Sequence, residues 1–175
     1  MTVTKPVIRP LTQADMSTVA ELQLVAYQPL YHEDRAVLES RRAAAPDLCL
    51  GAFEGDSLLA YILSHPWPAA SPPAIGVRLA APEPGLDNWF VHDLAMGPAA
   101  RGLGLGRTLA ASAARAARQA GLVRGDLIAV QGAWSFWEKM GYRPAAELEP
   151  VLAAKVAAYG PDARYMTIDL ASPQP

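Results

Sequence analysis

A glycine-rich run at residues 101–108 is the segment of this chain with the clearest chemical potential. Its sequence is Arg-Gly-Leu-Gly-Leu-Gly-Arg-Thr, and it follows an apolar stretch, 89–96, that is typical of a strand. It leads into an alanine-rich stretch, 107–120, that is typical of a helix. The glycines leave backbone N–H groups accessible, and a helix start adds unpaired amides and a partial positive charge. The run therefore predicts a phosphate-binding turn.

Two widespread phosphate-binding motifs do not fit this run. In the dinucleotide pattern G-x-G-x-x-G, counted from Gly102, Arg107 stands in place of the third glycine. In the P-loop pattern G-x-x-x-x-G-K-[ST], Arg101 replaces the first glycine. The pattern that fits is [RQ]-x-x-G-x-[GA], filled by Arg101, Gly104 and Gly106.

This pattern, with the triplet Leu94-Ala95-Met96 before it, resembles the pyrophosphate loop of the GNAT superfamily of N-acetyltransferases. A second segment supports the resemblance. Residues 133–142, Ala-Trp-Ser-Phe-Trp-Glu-Lys-Met-Gly-Tyr, look like the family's downstream segment A-x-x-L-Y-E-K-L-G-F. The two motifs span 89–142, and the flanking segments fit the family as well.

Hydrophobic periodicity and turn residues divide the chain into strands and helices. Residues 66–86 hold six of the sixteen prolines without periodicity, and long loops of this kind are usually functional or disordered. We expect strands over 7–9, 48–53, 58–63, 89–96, 127–130 and 164–170, and helices over 13–27, 33–44, 107–120, 133–140 and, after a turn, within 147–159.

The resemblance implies the GNAT fold, an α/β (α+β) architecture with a mixed, mostly antiparallel sheet and helices on both faces. At 175 residues we expect a single domain over 1–171, followed by a disordered tail over 172–175.

Composition narrows the classes of partner. The net charge is −2, with 18% charged and 51% hydrophobic residues and no long run of one sign, which argues against nucleic-acid and membrane-surface partners. The chain start has no apolar signal core, so the expected location is the cytoplasm. The lone Cys49 predicts a buried strand residue without an internal disulfide, and we expect no metal site.

The resemblance also implies a donor site for acetyl-CoA as co-substrate. In the family, strands four and five splay apart and pantetheine bonds to exposed backbone of strand four, here Leu94 and Met96. The amide of Met96 is then expected near the thioester carbonyl. Pyrophosphate is expected on backbone amides within 102–107. The implied donor-site residues are Leu94, Ala95, Met96, Arg101, Gly102, Leu103, Gly104, Leu105, Gly106, Arg107, Thr108 and Trp137.

His92 is the expected catalytic base. Period-two alternation along strand four puts Phe90, His92 and Leu94 on one face, and Asp93 on the other. In some family members a histidine or glutamate near the splay takes the proton of the amine, and imidazole suits that task near neutral pH. Asp93 is a weaker candidate because it is expected to face away. A core histidine bonded to a carbonyl is the alternative interpretation.

Two residues depart from the family pattern. Trp137 occupies the position of a tyrosine that protonates the leaving sulfur in many members, and Val130 that of a common asparagine. A thiolate is a tolerable leaving group because the pKa of a thiol is about 8.5. The departures therefore affect the acid step rather than the CoA site.

The acceptor pocket is expected between the first two helices, the loop 66–86 and the far end of strand four. Its candidate residues are Tyr27, Tyr31, His32 and Trp67, aromatic side chains that suit an apolar or cationic amine.

The main hypothesis is an N-acetyltransferase that moves an acetyl group from acetyl-CoA to a primary amine of a small molecule or peptide by direct attack. One alternative is a catalytically weak acyl-CoA-binding sensor, favoured by the missing tyrosine. Another is a protein N-terminal or lysine acetyltransferase, which requires an open peptide groove. The sequence does not identify the amine or the length of the acyl chain. It also leaves the oligomeric state open, and a homodimer is one of the states that it allows.

Overall fold

The computed structural model describes residues 5–172. The expected disordered tail lies outside this range except for Ser172, whose hydroxyl donates to Asp169 at 2.7 Å. The strands are β1 (Val7–Pro10), β2 (Leu50–Glu54), β3 (Ser57–Pro66), β4 (Asn88–Met96), β5 (Arg124–Ala129), β6 (Arg143–Pro144) and β7 (Arg164–Asp169). The helices are α1 (Met16–Ala26), α2 (Arg35–Ala44), α3 (Leu105–Gln119), α4 (Trp134–Lys139) and α5 (Pro150–Ala157).

Within the described residues the strands form a seven-stranded sheet in the order β1-β2-β3-β4-β5-β7-β6. Neighbouring strands are antiparallel except β4 and β5, which run parallel. The prediction of a mixed, mostly antiparallel sheet is confirmed. The sequence did not predict β6, because two residues that pair with β7 are too short to show a period.

Helices cover both faces of this sheet, as predicted. On one face the apolar stripe of α3, with Leu109 and Ala113, packs against Val91. On the other face Val19 of α1 and Leu38 of α2 belong to a second core. None of the described helices is both long and apolar enough to cross a bilayer.

Several element boundaries differ from the expected ones. β3 continues to Pro66 and β5 begins at Arg124, because pairing with β4 extends both strands beyond their apolar runs. α3 begins at Leu105 rather than at 107. Gly104 is the N-cap residue and has a left-handed conformation (φ 68°). The side chain of Leu105 is buried against the core, and this packing includes Leu105 and Gly106 in the helix.

A β-bulge at His92 interrupts the alternation of β4. Leu63 pairs with Asp93 and the next residue of β3, Ser64, pairs with Val91, so His92 is the extra residue. Before the bulge Val91 packs in the α3 core, whereas after it Ala95 packs in the α1–α2 core. The expected alternation is therefore wrong beyond His92.

The parallel pairing of β4 and β5 ends at the same place. Val91 pairs with Leu127, but β4 continues to Met96 and β5 to Ala129 without further pairing between them. The edge of β4 that faces β5 is therefore open from His92 onward.

Candidate active site

A cavity of about 310 Å³ fills the gap between the diverging strands. Its floor is the open part of β4, and its walls come from β5, α4, the α1–α2 connector and single residues of two distant loops. The lining residues are Ala26, Tyr27, Tyr31, Glu33, Ile75, Val91, His92, Asp93, Leu94, Ala95, Met96, Leu127, Ile128, Ala129, Val130, Gln131, Ala133, Phe136, Trp137 and Tyr159.

The glycine-rich turn lies at one end of this open edge. Gly102 and Gly104 have positive φ angles of 75° and 68°, a conformation that side chains disfavour. Both glycines are exposed, and α3 starts directly behind them. The first amides of a helix have no intrahelical acceptor, so the turn presents N–H groups suited to an anion.

Gly106 brings the start of α3 against the end of β4. A Cβ atom at this position would lie 2.9 Å from Met96 Sδ, so a larger residue would require the flexible Met96 side chain to move. The anion-binding turn therefore lies next to the unpaired strand edge, as an extended phosphate-bearing ligand requires. Expected donor-site residues 94–96 and Trp137 line the cavity itself.

His92 is hydrogen-bonded to Glu33, a carboxylate that the sequence analysis did not single out. Its Nε2 lies 2.6 Å from Glu33 Oε2, and both side chains are buried. The carboxylate accepts the Nε2 proton, which leaves Nδ1 as the atom with a lone pair. Within the described part of the chain this buried Nδ1 has no hydrogen-bond partner.

Glu33 is held in turn by a buried cation and a backbone amide. Arg41, fully buried, places Nη2 3.1 Å from Glu33 Oε1, and the Gly76 N–H donates to the same oxygen at 2.7 Å. Burial alone raises the pKa of the Glu33 carboxyl, but the hydrogen bond and charge of His92, together with Arg41 and Gly76, lower it to about 2. Glu33 is thus an ionised anchor for the imidazole.

Asp93 does not face away from His92, because the bulge turns both side chains toward the α1–α2 face. The Tyr61 hydroxyl donates to Asp93 Oδ2 at 2.5 Å. Burial raises the pKa of this carboxyl. The cavity floor therefore carries an imidazole with a free nitrogen beside a carboxyl that is already hydrogen-bonded.

The expected acceptor residues separate into two pairs. Tyr27 and Tyr31 line the cavity. Trp67 does not, because its indole N–H donates to the Ser71 carbonyl at 2.8 Å and its ring packs edge-on against a buried histidine. His32 also lies outside the lining, with Nε2 2.8 Å from the Tyr27 carbonyl oxygen.

Tyr159 also lines the cavity, although the sequence analysis did not single it out. The Tyr31 hydroxyl donates to the Tyr159 carbonyl at 2.7 Å, and the Tyr159 hydroxyl donates to the Pro73 carbonyl at 2.8 Å. These two bonds join the α1–α2 connector, the proline-rich loop and the segment after α5.

Trp137 packs as an apolar wall of the cavity. Its ring meets Phe136 and Tyr142 edge-on, at centroid distances of 5.0 and 5.3 Å. Two hydroxyl-bearing residues near Trp137 in the sequence could replace the missing tyrosine as proton donors, but neither lines the cavity. Tyr142 is buried in the core and Ser135 is exposed.

Several solved structures share this fold. The loading GNATL domain of CurA from Lyngbya majuscula is 11% identical, with a TM-score of 0.76 over 95% of this chain and 98% of that one. Ard1 from Thermoplasma volcanium is 15% identical, with a TM-score of 0.69 over 95% and 98%. The PaiA N-acetyltransferase of Thermoplasma acidophilum, solved with coenzyme A, is 16% identical, with a TM-score of 0.66 over 95% and 99%.

At these identities the likeness concerns the fold. Comparison with curated protein sequences gave no significant match. Residues 16–142 match the acetyltransferase (GNAT) family, and this range holds the bulged strand, the glycine turn and the second motif. The chain belongs to the GNAT acetyltransferase family.

Proposed function

We propose that the protein transfers an acetyl group from acetyl-CoA to a primary amine of a small molecule or peptide by direct attack within a ternary complex. One observation carries the proposal: a carboxylate-anchored imidazole lies on the same open strand edge that leads to the anion-binding turn. A binding module needs the turn and the edge, but it has no need of a buried base with an unpaired lone pair.

The donor side is formed by the strand edge and the turn. Backbone groups of β4 suit the amides of pantetheine, and the amides at the start of α3 suit the pyrophosphate. The PaiA structure, which holds coenzyme A on the same fold, supports this assignment. No cluster of three metal-ligating side chains occurs among residues 5–172, and the proposed chemistry uses none.

On the acceptor side, His92 is the group that removes the proton of an ammonium. Glu33 fixes the tautomer with the proton on Nε2, so Nδ1 takes the proton directly or through one water. The amine lone pair then forms the bond to the acyl carbon, and the thiolate leaves with the electrons of the C–S bond.

Calorimetry with acetyl-CoA tests the donor site through a matched pair of charge reversals. Arg107→Glu puts a negative charge in the first turn of α3, where it repels pyrophosphate but favours the helix dipole. Arg115→Glu makes the same change eight residues further along, about 12 Å along the helix axis at ~1.5 Å per residue. We expect at least about tenfold weaker binding for the first variant and an unchanged affinity for the second.

Turnover is tested by CoA release across a panel of amines. Release of CoA with at least one amine supports the transferase. Tight binding of acetyl-CoA without CoA release for any amine would favour the acyl-CoA sensor instead. In the calorimetric experiment, equal affinities of the two arginine variants for acetyl-CoA would overturn the assignment of the donor site.

A further inference from the structure

The Tyr27 hydroxyl lies on the open edge of β4, at the backbone of Leu94. It donates to the Leu94 carbonyl oxygen at 2.7 Å. The Leu94 N–H donates back to the same hydroxyl, but at 3.3 Å, longer than an ordinary N–H···O bond. The Leu94 N–H is therefore only weakly engaged, and it can exchange this hydroxyl for a better acceptor that enters the cavity.

Neighbouring groups fix the position of Tyr27. The residue follows the last turn of α1 in an extended conformation, its carbonyl is bonded to His32, and its ring meets Tyr31 edge-on at 6.2 Å. The next residue, Gln28, donates its N–H to the Gln131 side chain at 2.9 Å, across the gap between β4 and β5. The hydroxyl is thus held over the cavity by contacts from both sides.

The chemistry of this phenol suits a hydrogen-bond donor. Burial first, and then the nearby Asp93, raise the pKa of Tyr27 well above its usual value. Such a phenol keeps its proton near neutral pH. Proton transfer from it to a thiolate, whose conjugate acid has a pKa of about 8.5, is unfavourable. The group can donate a hydrogen bond throughout a reaction but does not act as a base or as the acid for the leaving sulfur.

Resting on the acetyltransferase function proposed above, we propose that Tyr27 is a catalytic residue whose hydroxyl and the Leu94 N–H form a two-donor oxyanion hole. The Leu94 N–H then takes the role that the family resemblance assigned to the Met96 amide. The hydroxyl proton turns from the Leu94 carbonyl to the acyl oxygen of the donor. As the amine lone pair forms the N–C bond, the carbonyl π pair moves onto oxygen between these two donors. When that pair returns, the C–S bond breaks and its electrons stay on sulfur. His92 already holds the proton that it took from the ammonium, so the second nitrogen proton leaves to solvent water.

This role assigns stabilisation to the charge on oxygen rather than to the departing sulfur. Indole at position 137 offers no acid to the sulfur, so the two donors at the acyl oxygen have to carry more of the catalysis. Loss of one oxyanion-hole donor typically costs about 100- to 1,000-fold in kcat.

Carbon-13 NMR of acetyl-CoA labelled at the thioester carbonyl tests the proposal without any acceptor. Each donor draws electron density from the carbonyl and moves its resonance downfield. We expect a downfield shift on binding to the wild type, reduced to roughly half in Tyr27→Phe because one of two donors is lost. The matched control is Tyr165→Phe, which loses a tyrosine hydroxyl bonded to Asp126 outside this cavity and should shift the resonance as the wild type does.

An equal shift in wild type and Tyr27→Phe would overturn the proposal. Where Tyr27→Phe does not fold, 3-fluorotyrosine at position 27 keeps the packing and is a stronger donor. It should move the resonance further downfield, and an unchanged resonance would count equally against the proposal. Absence of acetyl-CoA binding to the wild type in calorimetry would overturn the proposed function itself, which separates the two failures.

Discussion

Replacing Glu33 by glutamine probes the buried anchor of the proposed base. The substitution Glu33→Gln keeps the shape of the side chain and removes its charge. In the native protein this carboxylate contacts His92 at 2.6 Å and Arg41 at 3.1 Å, with only 4% of the Glu33 side chain exposed. The variant therefore leaves a buried guanidinium without its counter-charge, which typically costs about 3–5 kcal/mol.

The lowered pKa of Glu33 gives a second, independent value for the stability that this carboxylate contributes. Its decrease from 4.5 to about 2 corresponds to roughly 3 kcal/mol of stability, at ~1.4 kcal/mol per pH unit. Because the folded-state pKa is depressed, this contribution is complete above pH 4.5 and is lost as the pH falls toward 2. About 2 kcal/mol of it should be lost by pH 3.

Urea unfolding of wild type and variant between pH 7 and pH 3 measures this difference. The gap in the free energy of unfolding should be largest at pH 7 and should narrow by about 2 kcal/mol at pH 3. Glu39→Gln on α2 is the matched control, because Glu39 pairs with Arg35 at the surface, where such pairs contribute about 0–1 kcal/mol. Its gap to the wild type should stay small at every pH.

Two free-energy curves that run parallel from pH 7 to pH 3 would refute this reasoning, because they would mean that the Glu33 carboxyl is not held ionised by its neighbours. A destabilisation at pH 7 no larger than that of Glu39→Gln would do the same.

Three further substitutions test the site by CoA-release kinetics and calorimetry. His92→Ala should lower kcat/KM by at least about 100-fold with little change in acetyl-CoA affinity. Asp93→Asn should lower it less, because Asp93 is already bonded to Tyr61. Near-normal rates for His92→Ala would mean that another group is the base. Trp137→Phe should retain most of kcat because the ring acts by packing, and loss of turnover with intact acetyl-CoA binding would contradict that role.

The parts of the site that the sequence predicted correctly are local. The glycine turn and the second motif are each formed by consecutive residues, so their patterns are visible without knowledge of the fold. The placement of His92 and Tyr27 in the cavity also followed, because the family resemblance supplied the order of the strands.

The parts that the sequence missed depend on contacts between distant segments. Glu33 is separated from His92 by 59 positions, and in the sequence it looks like an ordinary acidic residue at a helix start. Arg41 lies on the buried face of α2, where an arginine is expected at the surface. Trp67 lies outside the cavity for a local reason instead, because its indole finds a partner within its own loop.

The bulge at His92 connects the donor and acceptor halves of the site. Strict alternation would put neighbouring residues 92 and 93 on opposite faces of β4 and would allow pairing with β5 to continue. One extra residue turns Asp93 to the face that already holds His92 and Glu33. It also coincides with the end of β4–β5 pairing, which leaves the Leu94 backbone open to the cavity. The proposed base and the proposed oxyanion donors therefore lie together because of the same local irregularity, and a change that removed the bulge should abolish both.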